Sequence, residues 1–113
     1  MSQLTTHILD ISIGTPAKDV PATLKFLQNE FQWVDLAEGK TDSDGRIKNL
    51  LDNDVKMEHG TYKLIFNTGE YFEREGIDSF YPVVEVIFRV DSDMHYHVPL
   101  LLSPYGFSTY RGS

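Results

Sequence analysis

Two histidines stand two residues apart, His95 and His97. On an extended strand such a pair points to one face, so the two imidazoles would share a surface. They could ligate zinc there, with His7 as a third ligand. They could equally supply a general base, because imidazole titrates near neutrality. A strand pair of this kind is more often ordinary, one ring hydrogen-bonded and one exposed, and the spacing alone favours that plain reading. His59, beside Gly60 in a turn, reads as a solvated loop residue. Arg46 follows Asp44-Gly45, a tight-turn pair. It is either a surface arginine on a hairpin or an anchor whose planar fork grips an imide or carboxylate.

Several other chemistries find no support. There is no cysteine, hence no thiol nucleophile and no disulfide framework. Asp42-Ser43-Asp44-Gly45 has calcium-loop residue types, but the ligand spacing and the distal glutamate are missing, and it reads as a turn. No Gly-rich phosphate loop and no Gly-x-Ser-x-Gly elbow occurs. Strand-like sequence runs from Phe107 through Gly112 to Ser113 without a loose polar extension. That is either an edge strand that stops there or a hydroxyl and a carboxylate with a position to fill.

The elements that must carry these residues are short strands. His7 to Ile13 is the first, with His7, Leu9 and Ile11 on one face and Ile8 on the other. Gly14-Thr15-Pro16 breaks it. Leu24 to Leu27 and Trp33 to Leu36 follow, joined by a turn at Asn29-Glu30. Ile47, Leu50 and Leu51 return the chain to the core after the turn at Asp42 to Gly45. Thr61 to Asn67 alternates Tyr62, Leu64 and Phe66 with Lys63, Ile65 and Asn67. Thr68 to Glu75 is the one short helix, with Thr68 as its cap and Gly76 ending it in a left-handed turn. Val83 to Val90, His95 to Leu102 and Phe107 to Arg111 complete the strands, the last two joined by Ser103-Pro104-Tyr105-Gly106. Seven or eight strands and one helix predict an all-β, two-sheet antiparallel sandwich, with a small barrel as the alternative.

The 113 residues fit one domain, 1–113. With 41% hydrophobic and 24% charged residues the composition is that of a globular protein. A net charge of −7 repels phosphate backbones and anionic lipid, which excludes nucleic-acid and membrane partners at this level. No apolar run approaches the roughly 20 residues of a membrane span. The first residues lack the basic and apolar regions of a secretory signal, and the cytoplasm is the expected compartment.

The stretch from His95 to Ser113, containing His95-Tyr96-His97-Val98-Pro99 and ending Tyr110-Arg111-Gly112-Ser113, closely resembles the carboxyl-terminal signature of the 5-hydroxyisourate hydrolases. Thr6-His7-Ile8-Leu9-Asp10 with Gly14-Thr15-Pro16-Ala17 resembles their amino-terminal signature. Thr41-Asp42-Ser43-Asp44-Gly45-Arg46 and Tyr62-Lys63-Leu64-Ile65-Phe66 lie between in family order. The chain is also similar to transthyretin, a carrier, in Leu9-Asp10, Gly14-Thr15-Pro16-Ala17 and Leu102-Ser103-Pro104-Tyr105. The carrier lacks the Tyr-Arg-Gly-Ser end and differs at the positions of His7 and His97. The resemblance implies a transthyretin-like sandwich of two four-stranded sheets with one short helix. It implies a homotetramer with active sites in a channel at the subunit interface, and no metal or other cofactor. It assigns catalysis to His7, Arg46 and His97, substrate binding to Tyr110, Arg111, Gly112 and Ser113, and nothing essential to His95. The implied reaction is hydrolysis of 5-hydroxyisourate to 2-oxo-4-hydroxy-4-carboxy-5-ureidoimidazoline in urate degradation.

Overall fold

Apolar residues that alternate with polar ones along the chain become strands buried on one side, and these strands form two stacked sheets. The computed structural model describes residues 1–113. One sheet is built on β1 (Leu4–Asp10), with β2 (Thr15–Pro16) and β5 (Arg46–Ile47) added to it. The other is formed by β3 (Pro21–Asn29), β4 (Gln32–Lys40), β6 (Gly60–Phe66) and β7 (Val84–Val90), in the order β4-β3-β6-β7. Between β6 and β7 lies the single helix, α1 (Thr68–Arg74). The chain then returns to the first sheet as β8 (Tyr96–Ser103) and β9 (Gly106–Thr109), giving the order β2-β1-β8-β9.

The all-β sandwich with one short helix is as expected, and the second sheet has its four strands. The first sheet has five members, because two two-residue pieces pair with β1. Thr15–Pro16, expected as a break, hydrogen-bonds back onto Leu9 and Asp10. Arg46–Ile47 pairs with Thr6 and His7. One pairing also departs from the antiparallel expectation: β1 runs parallel to β8. A parallel neighbour needs a long crossover, and here the whole second sheet and the helix supply it.

The core fills the space between the sheets with 22 buried apolar residues, among them Leu4 and Ile8 of β1, Leu24, Tyr62, Leu64 and Phe66, and Val98, Leu100 and Leu102 of β8. Ile47, Leu50 and Leu51 are buried as the pattern requires. In β1, burial alternates strictly, so Thr5, His7 and Leu9 lie on the outer face while Leu4, Thr6, Ile8 and Asp10 point inward. In β8, His97 is likewise outward while Tyr96 and Val98 are buried.

The helix ends as expected and begins otherwise. Gly76 adopts φ 71°, and the Gly76 and Ile77 amides donate to the carbonyls of Glu73 and Phe72, a left-handed closure that spares a side chain the strain. The cap residue is Asn67 rather than Thr68, and it makes no side-chain cap bond. Thr68 is already helical and its hydroxyl is buried without a partner. The helix is fixed by burial instead: Tyr71 donates its hydroxyl hydrogen to the buried Asp10 carboxylate at 2.8 Å.

Candidate active site

Strand register assembles the site. Thr5 of β1 pairs with His97 of β8, and His97 pairs in turn with Gly112, so the three lie in one row. Two residues further along, Arg46 of β5 pairs with His7, and His7 with Pro99, making the next row. Paired residues point to the same side of a sheet. His7, Arg46 and His97, separated by up to ninety positions in sequence, therefore share the outer face of the first sheet. Arg46 and His97 line one hollow of about 360 Å³ together with Thr5, Lys48, His95 and Ser113.

The turn before Arg46 explains its placement. The Asp42 carboxylate accepts from the amides of Asp44 at 2.9 Å and Arg46 at 3.0 Å, closing the loop on itself. Those amides hold the Asp42 carboxyl below the usual carboxylate range. Gly45 then docks on β1: its carbonyl accepts from the Ile8 amide at 2.8 Å. At φ 74° a side chain would be strained there, and a Cβ would stand 2.5 Å from the Ile8 carbonyl oxygen. Only glycine lets the turn lie close enough for Arg46 to meet His7.

The electrostatics follow from this packing. Burial, and after it the Arg46 guanidinium, push the His7 imidazole below its ordinary pKa; the Asp44 carbonyl and the carboxylates of Asp42 and Asp44 oppose this more weakly. His97 is lowered by the same two causes in the same order, with His95 and His7 adding repulsion and the Thr5 carbonyl opposing. Both shifts favour the neutral ring, the form in which an imidazole can accept a proton. Arg46 takes part in none of the four ion pairs of the chain and is half-buried, so its fork is free for a ligand.

The tail divides. β9 ends at Thr109, earlier than the strand expected through Arg111. The chain then turns so that the Gly112 amide donates to the His97 carbonyl at 2.8 Å, and Ser113 reaches the hollow. Tyr110 and Arg111 line a second hollow that also touches His97, and the Arg111 guanidinium lies over the Tyr96 ring at 4.5 Å. Within one chain the structure thus brings Gly112 to His97 and Ser113 to the hollow of Arg46 and His97, and sets Tyr110 and Arg111 beside His97; His7 pairs with Arg46 but does not line that hollow. A Cβ on Gly112 would stand 2.5 Å from His97 Cδ2 and 3.0 Å from Pro99 Cγ. Gly112→Ala is therefore expected to displace the His97 ring and lower turnover on the order of 10²-fold. Its thermal melt should stay near that of the parent, since the strain falls on an outer face. Unchanged turnover would show that the ring position is immaterial.

His95 lies one residue before β8, exposed, its ring stacked on that of His97 at 6.4 Å. The Thr5 hydroxyl bridges the two, 2.9 Å from His95 Nε2 and 2.8 Å from His97 Nδ1. Thr5 and Lys48 were not legible as site residues; only their pairing and proximity reveal them. His59 is an exposed residue 3.4 Å from Asp93 and does not line the hollow. No three histidine, aspartate or glutamate side chains come together with metal-ligand geometry, so the trio His7, His95 and His97 does not form a zinc cradle within one chain. The largest hollow, about 940 Å³ beside α1, is lined by Glu70, Glu73 and Asp78 and has no histidine or arginine.

Chains of known character share this architecture. A 5-hydroxyisourate hydrolase from Salmonella dublin is 47% identical over 111 residues, 97% of this chain and 80% of the relative. The solved structure of a 5-hydroxyisourate hydrolase from Klebsiella pneumoniae superposes with a TM-score of 0.85 at 38% identity, covering 97% of this chain and 98% of that one. Sea bream transthyretin in complex with thyroxine superposes with a TM-score of 0.91 at 33% identity, covering 98% and 95%. Residues 4–112, which include both site rows, match the model of one family, and the chain belongs to it: the HIUase/Transthyretin family.

Proposed function

We propose that this chain hydrolyses 5-hydroxyisourate to 2-oxo-4-hydroxy-4-carboxy-5-ureidoimidazoline, a step of urate degradation. The observation that carries the reading is the meeting of two imidazoles, His7 and His97, and an arginine with no ion-pair partner on one outer sheet face. Relatives bearing the hydrolase name across nearly the full chain support it. Ring opening by water needs a base for the water, a donor for the developing oxyanion and an acid for the leaving nitrogen. One histidine takes the proton from water while the other orients the water or returns a proton to nitrogen. Arg46 holds the substrate and stabilises the negative charge. Gly112 and Ser113 close the hollow, with Tyr110 and Arg111 next to it.

The sandwich is also that of a thyroxine-bound transthyretin, so shape alone fits a carrier as well. The histidines and Arg46 separate the two readings, because a carrier has no use for a paired base and anion clamp. The decisive measurement is the absorbance decay of freshly made 5-hydroxyisourate with and without the protein. Decay no faster than the spontaneous rate sinks the hydrolase reading.

The working form in this proposal is a cytoplasmic homotetramer with the site in a channel between subunits. The site face is a shallow sheet surface, and apolar groups such as Ile11 at 51% exposure, Ile87 at 59% and Phe107 at 41% stand open on the single chain. Closed two-fold packing would cover such groups and deepen the hollow. Removing Ser113 is expected to cut turnover roughly 10-fold while leaving a tetramer, because Ser113 lines the hollow. Light scattering alongside the rate tests both halves: a fully active truncated tetramer removes Ser113 from the site, and an active monomer removes the channel.

A further inference from the structure

We propose that Thr5 is a positioning residue: its hydroxyl accepts from Nδ1–H of His97 and donates to Nε2 of His95, fixing His97 in the tautomer whose Nε2 is the free basic nitrogen. The proposal rests on the hydrolase reading of this site and assigns the base within it to His97.

A threonine hydroxyl has one hydrogen and can also accept. With imidazole nitrogens at 2.8 and 2.9 Å it must donate to one ring and accept from the other. The nitrogen left over breaks the tie: Thr5 occupies Nδ1 of His97, so only Nε2 remains to take a proton from water. A neutral imidazole whose Nε2 is the base carries its hydrogen on Nδ1. The His97 nitrogen turned toward Thr5 therefore carries the hydrogen, and the Thr5 hydroxyl gives its own to His95. Which ring nitrogen is protonated is set by the bond its partner makes.

The arrangement is held on every side. Thr5 and His97 are register partners on adjacent parallel strands. A β-branched side chain on a strand has few rotamers, so the hydroxyl keeps its direction. Gly112 packs against the far side of the His97 ring, where no Cβ fits. The charged and titratable groups around His97 are Arg46 and Lys48 from β5 and the residue after it, His7 from β1, His95, the Met1 amine, and, in the second hollow, Arg89, Tyr96, Tyr110 and Arg111. None of them is a carboxylate side chain. His97 thus lacks an aspartate to orient it, and the Thr5 hydroxyl, itself anchored by His95, takes that place. His95 in turn gains a task that does not require contact with substrate.

The test compares Thr5→Val, which keeps the shape and loses the hydroxyl, with Thr5→Ser, which keeps the hydroxyl. An oxygen accepting from Nδ1–H stabilises the imidazolium, so its loss lowers the His97 pKa. Thr5→Val is expected to move the acid limb of the kcat profile to lower pH by roughly half a unit or more. Its kcat should fall about 10-fold with KM changed less than about threefold, since the lost group orients the base rather than the substrate. Thr5→Ser should restore both limb and rate. A valine variant with the parent's rate and profile overturns the proposal, as do valine and serine variants impaired alike. Nitrogen-15 NMR of the unmodified protein decides without any variant or any turnover. A neutral His97 with hydrogen on Nδ1 is expected, and hydrogen on Nε2 overturns the proposal. A parent protein that leaves 5-hydroxyisourate decay unchanged sinks the hydrolase reading instead, a different result from either.

Discussion

His97→Asn and His7→Asn are each expected to slow the catalysed decay of 5-hydroxyisourate by on the order of 10²-fold or more. Asparagine keeps a hydrogen-bonding side chain of similar reach but cannot take up a proton at these pH values. Both rings stand half-buried on the outer sheet face, outside the core cluster, so the fold should survive in each variant and circular dichroism should show it. Burial and Arg46 lower the pKa of both rings. A base with a lowered pKa stays unprotonated to lower pH, so the acid limb of kcat/KM in the parent should fall below the ordinary imidazole value of about 6.5. His59→Asn is the internal control and should be silent, because His59 is exposed beside Asp93 and does not line the hollow. Near-normal turnover in both asparagine variants would remove the histidines from the reaction.

Arg46→Lys is expected to fail nearly as badly as Arg46→Ala, each losing roughly 10²-fold in kcat/KM. The turn from Asp42 to Gly45 presents a guanidinium with no ion-pair partner on the sheet face of His7 and His97. A planar fork can grip two acceptors of a ring at once, which an ammonium cannot. The pH profile separates fork from charge. Arg46 presses both histidine pKa values down by its positive charge. Alanine removes that charge, so the acid limb of its residual activity should move to higher pH, while lysine keeps the charge and should leave the limb in place. If lysine restores most of the rate, Arg46 supplies charge alone and the bidentate grip is wrong.

The sequence by itself determined the alternation of side chains within its strands and where most turns fall, though the first strand runs Leu4–Asp10 rather than from His7 to Ile13. Both are local: alternation in steps of two sends Ile8 inward and His7 and Leu9 outward, and Gly76 ends its helix through a dihedral that glycine alone adopts without strain. The signatures around His7, Arg46 and His97 were readable for the same reason, as short stretches of fixed order. Boundaries were less legible. Thr68 was expected as a cap, but whether a residue caps or enters a helix depends on what covers it, and Thr68 is buried in the first turn. The tail was expected as strand to Arg111, yet pairing on β8 stops at Thr109 and resumes only at Gly112.

What only the tertiary structure decided is which residues meet. The parallel pairing of β1 with β8 puts Thr5 against His97, and the docking of Gly45 on Ile8 puts Arg46 against His7. Register between strands so distant in sequence is chosen by the packing of both sheet faces at once, and a slip by one residue would turn every side chain over. No spacing along the chain carries that information. For this reason the histidines and Arg46 could be named from sequence, whereas the hydroxyl of Thr5 between two imidazoles, and the need for glycine at 112 beside the His97 ring, came only with the fold.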